Sequence, residues 1–318
     1  MKIRMFMLAC GLCATGAVAA DKYPERPVRL VVASAPGGGT DFVARAMNDK
    51  FSEFLGNQVV VDNRGGAGGR VGTQIVHEAP GDGYTILQIF TNFAILPSLH
   101  KNLPFSVTKD FAPVINLVSS PLILVVNPSL PAKSVQELIS LAKARKGELN
   151  FAAPGIGSLG HLSGEFFKLT AGVDMQHVAY KGGGPSITAL VGNQVQLYFS
   201  TLPAAIVQVK AGRLRPLGVT SLKRTAVAPD VPTIAEQGLK DFEVVGWFGI
   251  FTSSRAPANT IKSLNAAANK ALKVKAVSDR LVASGVGIEG GTPEAFRQKV
   301  VADVAKWGKV AERAGLKK

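Results

Sequence analysis

The sequence predicts an α/β protein with largely parallel sheets, divided into two domains. Three observations predict it: short apolar runs alternate with segments of helical period, glycine-rich loops sit at four strand-to-helix joints, and the chain of 318 residues is long enough for about two domains of ~150 residues.

Val28-Arg29-Leu30-Val31-Val32 reads as a buried strand. A glycine-rich turn leads into a helix from Asp41 to Leu55, where Met47, Phe51, Phe54 and Leu55 recur at helical spacing and Gly56 stops the run. Val59 to Val61 is a second strand, Asn63 to Gly69 a loop, and Val71 to His77 a short helix. The same grammar continues with strands at Tyr84 to Phe90, Leu122 to Val126, Asn150 to Ala153, His177 to Tyr180, Val195 to Phe199 and Leu214 to Thr220. Helices are expected at Val135 to Arg145, His161 to Leu169 and Ser186 to Val191. Beyond these, Ile261 to Lys273 and Pro293 to Arg313 are helical and little strand pattern remains. Thr292 caps the last helix, Pro293 suits its first turn, and Phe296, Val300, Val304, Trp307 and Ala311 form a face that must dock on a domain. No low-complexity linker separates the domains, which favours crossovers inside strands near Val118 to Val125 and Val244 to Phe251.

The N-terminus reads as an export signal. Lys2 and Arg4 precede an uncharged apolar stretch from Met5 to Val18, and Ala17-Val18-Ala19-Ala20 leads into Asp21-Lys22. That stretch is shorter than the ~20 apolar residues of a membrane span. Removal of residues 1–20 takes away both cysteines and two of the 36 basic groups, leaving 34 against 22 acidic ones, or +12 in place of +14. The mature chain then has no thiol for a disulfide, a nucleophile or a metal. Its positive charge is dispersed, with no basic stripe interleaved by aromatics, so nucleic acid is not an expected partner; small anions are.

Glycine makes up 34 of 318 residues, near 11% against a usual ~7%. Much of the excess falls in Pro36-Gly37-Gly38-Gly39-Thr40-Asp41, Asn63 to Gly69, Gly155-Ile156-Gly157-Ser158-Leu159-Gly160-His161 and Tyr180-Lys181-Gly182-Gly183-Gly184-Pro185. Glycine lets backbone N–H groups approach a ligand, and a helix N-terminus carries about half a positive charge, so such loops suit anions. The third loop matches G-x-G-x-x-G, but it lies in mid-chain rather than in the first βαβ unit, and an exported protein leaves the nicotinamide pool behind. No glycine cluster continues into a Walker Gly-Lys-Ser/Thr. His77, His100, His161 and His177 lack metal-ligand spacing, and no G-x-S-x-G elbow occurs. Asp41 opens a helix and reads as a cap before a general base. His161 has two readings: a neutral imidazole donating to an anion, or a structural group.

These pieces together resemble the tripartite tricarboxylate transporter substrate-binding proteins, the Bug family of periplasmic solute receptors. The resemblance runs from about Tyr23 to Lys317. It is carried by Tyr23-Pro24-Glu25-Arg26-Pro27-Val28, Pro36 to Asp41, Pro80-Gly81-Asp82-Gly83-Tyr84-Thr85, Leu103-Pro104-Phe105 with Lys109-Asp110-Phe111, Gly157 to Leu162, Tyr180 to Gly183, Pro229-Asp230-Val231-Pro232-Thr233 and Trp247-Phe248-Gly249. It implies a two-lobed periplasmic binding protein of type II-like fold, with mainly parallel sheets, flanking helices and a ligand cleft between lobes. The expected division is a signal peptide at 1–20, lobe 1 at 21–122 plus 249–318, and lobe 2 at 123–248. The resemblance further implies a monomer that closes on a small carboxylate and delivers it to the membrane subunits of a tripartite transporter, without metal, cofactor or catalysis. By matching motif it nominates Gly37, Gly38, Thr40 and Asp41 from one lobe and Ser158, Gly160, His161, Tyr180 and Gly183 from the other, with Thr91 and Asn92 added after the strand ending at Phe90.

The sequence departs from that pattern at Gln196 and Ser200, where aspartate is common. Loss of a carboxylate beside the cleft would remove a partner for a ligand ammonium, which points to plain mono- or dicarboxylates over amino acids, provided these side chains reach the ligand. Gly65 stands where proline is frequent, and is expected to change loop stiffness alone. Two other functions stand beside the receptor: a periplasmic hydrolase using Asp41 or His161 as acid–base groups, and a ligand sensor presenting to a membrane signalling partner.

Overall fold

The computed structural model describes residues 23–100, 102–313 and 315–316; the expected export signal at 1–20 lies outside them. The first half is built from β1 Val28–Val32, α1 Gly39–Leu55, β2 Val59–Asn63, α2 Arg70–Glu78, β3 Thr85–Phe90, α3 Asn92–Leu99 and the sixteen-residue β4 Phe111–Val126. Next come α4 Val135–Ala144, β5 Asn150–Ala153, α5 Leu159–Ala171, β6 Gln176–Ala179, α6 Gly183–Val191, β7 Leu197–Thr201, α7 Leu202–Lys210 and β8 Arg215–Val219. The chain ends with β9 Val245–Ser253, α8 Ala258–Lys273, α9 Lys275–Val282, β10 Gly287–Gly290 and α10 Pro293–Arg313.

These elements make two lobes, one on each of two sheets, joined by β4, which runs through both, and by the segment that returns from β8 to β9. Within β4, Phe111 to Pro121 pair with β9 in the first sheet, whereas Leu122 to Val126 pair with β7 and β8 in the second. The strand order across the molecule is β2-β1-β3-β9-β4-β7-β5-β6, with β8 and β10 also on β4. Parallel pairing holds within the βαβ units, β1 with β2 and β3, and β5 with β6 and β7. The sheets as wholes are mixed rather than mainly parallel, because β4, β8, β9 and β10 join antiparallel. β4 carries the chain out of the first lobe and β9 brings it back, so those two strands must run in opposite directions.

Thr220 ties the two crossings together. Its buried hydroxyl accepts from the Leu122 N–H at 2.8 Å and donates to the Val244 carbonyl at 2.5 Å, so the outgoing and returning strands are pinned to one side chain. A hydroxyl in this place stabilises by satisfying a backbone donor and acceptor that water cannot reach.

The predicted docking face of α10 is buried at Phe296, Val300, Trp307 and Ala311, with Val304 half-buried. Phe296 packs edge-on against Trp247 with ring centroids 4.9 Å apart, and the missing side chain of Gly249 makes the room for its ring. The Trp247 indole N–H donates to Asp303 on the same helix at 2.6 Å. Elements with weak sequence signals also form. α3 is apolar on nearly every face and contains Pro97, so it shows no amphipathic period; it is a buried helix. The strand β10 contains two glycines and exists because β4 offers it an edge.

Candidate functional site

Between the lobes lies a cavity of about 40 Å³. A single water needs roughly 10–15 Å³, so the enclosed part has room for about three waters or one small polar group. Five helices begin at this cavity. α1 brings Gly39 and Thr40, α3 brings Asn92, α5 brings Ser158 and Gly160, α6 brings Gly182 and Gly183, and α7 brings Thr201. The first backbone N–H groups of a helix have no partner inside it, and the macrodipole places partial positive charge there. Among the described residues no acidic one lines the cavity, and Lys181 is the one charged residue in its lining. An anion is the ligand these surroundings stabilise.

The side chains follow the same logic. Ser158 caps α5 by accepting from the His161 N–H at 3.2 Å, which leaves its own proton to donate. Asn92, reaching across from the first lobe, accepts from the Leu159 N–H at 2.9 Å. Thr201 stands at the N-cap of α7 without using its hydroxyl to cap it, and Thr40, also in the lining, is buried. Tyr198 is buried against the cavity; burial pushes its phenol well above the ordinary value, so it stays protonated, and it bonds to the Ser200 and Ser186 hydroxyls.

Of the residues nominated from sequence, Thr40, Asn92, Ser158, Gly160 and Gly183 line the cavity, whereas Gly37, Gly38, Asp41, Thr91, His161 and Tyr180 do not. Gly37 and Tyr180 line a separate outer groove. Asp41 accepts from the Gly37 N–H at 3.0 Å, from Arg45 at 2.8 Å and from Asn63 at 3.0 Å, so its carboxylate holds the first glycine loop rather than a ligand. Gly38 is the N-cap of α1 and packs on Gly183 of the other lobe. Thr91 bonds the backbone of Trp247, accepting from its N–H at 2.7 Å, and so ties β9 to the end of β3.

His161 takes the structural reading, not the donor one. Its Nδ1 accepts from the Gly157 N–H at 3.1 Å, its Nε2 faces Glu165 at 3.8 Å, and its ring stacks on His177 with centroids 4.0 Å apart. Burial, followed by the nearby Lys168, lowers the His161 imidazole to about 4 and keeps it neutral. The ring thereby braces the third glycine loop from beneath. Gln196 and Ser200 do not reach the cavity either: the Gln196 side-chain amide oxygen accepts from the Asn150 N–H at 2.9 Å, and the Ser200 hydroxyl donates to the Thr201 carbonyl at 3.1 Å. The case against an ammonium ligand therefore moves from those two positions to the acid-free lining itself.

Lys181, Tyr198 and Thr201 were absent from the sequence nomination. For Thr201 a signal existed, since Thr201-Leu202-Pro203 at a strand end has the form of an N-cap followed by an early helical proline. Tyr198 had none, because a tyrosine in an apolar strand reads as core.

The glycines serve a second purpose, allowing the lobes to meet backbone against backbone. A Cβ on Gly65 would stand 2.6 Å from the Lys181 carbonyl oxygen, and one on Gly68 2.9 Å from that of Ile156. Position 65 thus lies on the seam between lobes, and its residue bears on more than loop stiffness.

The profile described as "Tripartite tricarboxylate transporter family receptor" matches residues 43–316. The chain belongs to that family. The receptor is 36% identical to Protein BugT of Bordetella pertussis (strain Tohama I) over 317 residues, covering 99% of this chain and 97% of BugT. The solved structure of the periplasmic binding protein BugD superposes with a TM-score of 0.90 at 34% identity, covering 93% of the receptor and 100% of BugD. R. palustris Rpa4515, solved with adipate, gives 0.89 at 36% identity, covering 92% of the receptor and 98% of that chain. The two-lobed periplasmic-binding-protein fold and the receptor family expected from the motifs are thereby shown.

Proposed function

We propose that this receptor captures a small carboxylate lacking an ammonium group in the periplasm, closes its lobes over it, and delivers it to a tripartite tricarboxylate-type transporter. The observation that carries the reading is the convergence of five helix starts on a cavity with no acidic residue among the described ones. A carboxylate satisfies those amides, whereas an amino acid would bring an ammonium with no anionic partner. The adipate held by Rpa4515 supports a dicarboxylate. The lobes we assign are 21–122 with the C-terminal part, and the intervening segment; the return is drawn at Val245, where β9 joins the first sheet, four residues before the boundary expected from sequence. The protein acts as a monomer. Binding without catalysis is supported by Asp41 and His161, the two acid–base candidates, whose acceptor atoms are spent on Gly37, Arg45, Asn63 and Gly157.

The test is a titration of mono-, di- and tricarboxylates and amino acids against protein stripped of bound ligand by unfolding and refolding. Ligand at ~100-fold over its dissociation constant adds about 2.7 kcal/mol of stability, read as a rise in melting temperature. A broad acid panel that leaves the melting temperature unmoved would falsify the reading, and so would an amino acid that outcompetes the plain acids.

A further inference from the structure

We infer that Lys181 binds the second carboxylate of a dicarboxylate ligand and thereby sets a preference for dianions over monoanions. The inference rests on the receptor reading above and adds to it the residue that counts charge.

Five helix starts supply partial charges and donors, but among the described residues the cavity lining contains one formally charged residue, Lys181. Of the other basic side chains near the seam, Arg45 is engaged with Asp41, Arg64 with Asp62 and Lys168 with Glu165, and Arg70, which follows Gly69, is not itself part of the cavity lining. Lys181 forms no ion pair and no side-chain hydrogen bond among the described residues, and it is exposed. A residue that lines the cavity and is also exposed stands at its mouth. Its main chain is fixed there by the opposite lobe, because the Lys181 carbonyl faces Gly65 at a separation that leaves no room for a Cβ.

Size then divides the ligand. The enclosed space of about 40 Å³ accepts one carboxylate end among the amides of Thr40, Gly160 and Gly183, so the rest of the molecule must extend toward the mouth. A monoanion leaves the Lys181 ammonium facing water. A dianion brings it a partner, and a compact cation with three donors on a flexible stem can meet second carboxylates at several chain lengths.

The experiment is calorimetric titration of stripped wild type, Lys181→Met and Lys181→Arg with straight-chain dicarboxylates of three to six carbons and with monocarboxylates of the same lengths. The expected result is that Lys181→Met weakens the best dicarboxylate by about tenfold, the scale of one charge-assisted hydrogen bond, while monocarboxylates change less than about twofold. Lys181→Arg should restore most of the dicarboxylate affinity, and raised salt should weaken dicarboxylates in wild type more than in Lys181→Met. Wild type that binds acids with the same di-to-mono ratio as Lys181→Met overturns the inference and leaves the receptor standing. A wild type that prefers monocarboxylates also overturns it. If wild type binds none of the acids, the inference and the receptor reading fail together.

Discussion

Gly184 lies under the carbonyl of Pro36 from the opposite lobe, so close that a Cβ at position 184 would fall inside the van der Waals contact distance of the Pro36 oxygen. The three nearest atoms such a Cβ would meet belong to Pro36 and Gly37 of the opposite lobe. The tightest obstruction to Gly184→Ala therefore comes from the approach of the two lobes. Alanine in a first helical turn even gains up to about 1 kcal/mol over glycine. We expect Gly184→Ala to keep or slightly raise the melting temperature without ligand, to bind ligand at least about tenfold more weakly, since 1.4 kcal/mol of obstruction suffices, and to stay extended in small-angle scattering when ligand is added. Unchanged affinity and normal compaction would show that closure does not pass through this contact.

The glycine excess was legible in the sequence, but only half of its meaning. Loops at strand ends announce donors for an anion because that property is local: a helix start exposes its amides whatever the rest of the chain does. That Gly65, Gly68 and Gly184 face another lobe is a property of pairs of residues far apart in sequence, and nothing local encodes it. The same distinction separates the correct elements from the missed ones. The α10 stripe of Phe296, Val300 and Trp307 has a period and was readable, whereas the first half of β4 is buried on both faces and carries no alternation. His161 failed as a ligand donor for a related reason. Its place beside a glycine loop is local, but the direction of its ring is set by His177, sixteen residues away.

That histidine pair makes stability depend on pH. Burial lowers His177, like His161, from an ordinary 6.5 to about 4, with the neighbouring imidazole as its next cause, then Glu165 opposing and Lys168 adding. Both groups are neutral in the folded protein and bind protons more readily when it unfolds. Their contribution is complete above pH 6.5, falls as the pH drops toward 4, and changes no further below that. A shift of this size corresponds to about 3 kcal/mol for one imidazole across the window. Urea denaturation at pH 7, 6, 5 and 4.5 should show the decline. In His161→Asn, where the amide carbonyl can still accept from Gly157 but cannot titrate, the slope should be about halved. Equal stability at pH 7 and 4.5 would contradict the assignment of a buried neutral pair.

The C-terminal helix is held at one aromatic junction. Phe296 is buried among Trp247, at 4.9 Å, and Phe251, at 5.0 Å, in the space left by Gly249. Phe296→Ala opens a cavity there and is expected to cost about 3–5 kcal/mol. Asp303→Ala leaves the Trp247 indole N–H without its acceptor, at about 1–3 kcal/mol, and Asp303→Asn should recover most of that loss. Chemical denaturation measures both, and a Phe296→Ala cost below about 1 kcal/mol would mean that α10 docks elsewhere.

Thr91 and Asn92 are neighbours with opposite duties, and their substitutions should separate stability from binding. The Thr91 hydroxyl is buried against the Trp247 backbone, where ligand cannot reach it; Thr91→Ala strands a buried N–H and should cost about 1–3 kcal/mol with little change in affinity. Thr91→Ser restores the acceptor and should restore the stability. Asn92 lines the cavity and accepts from the first amide of α5, so Asn92→Ala removes a bond that spans the lobes. In the open state water can take that amide, which limits the loss of stability without ligand. In the closed state it is enclosed and left unpaired, so the loss of about 1–3 kcal/mol falls on binding, roughly ten- to a hundredfold in affinity. Denaturation without ligand and titration with it, run on both variants, give the two numbers for each residue. If Thr91→Ala weakens binding as much as Asn92→Ala does, then the end of β3 is a single binding element rather than a brace beside a contact.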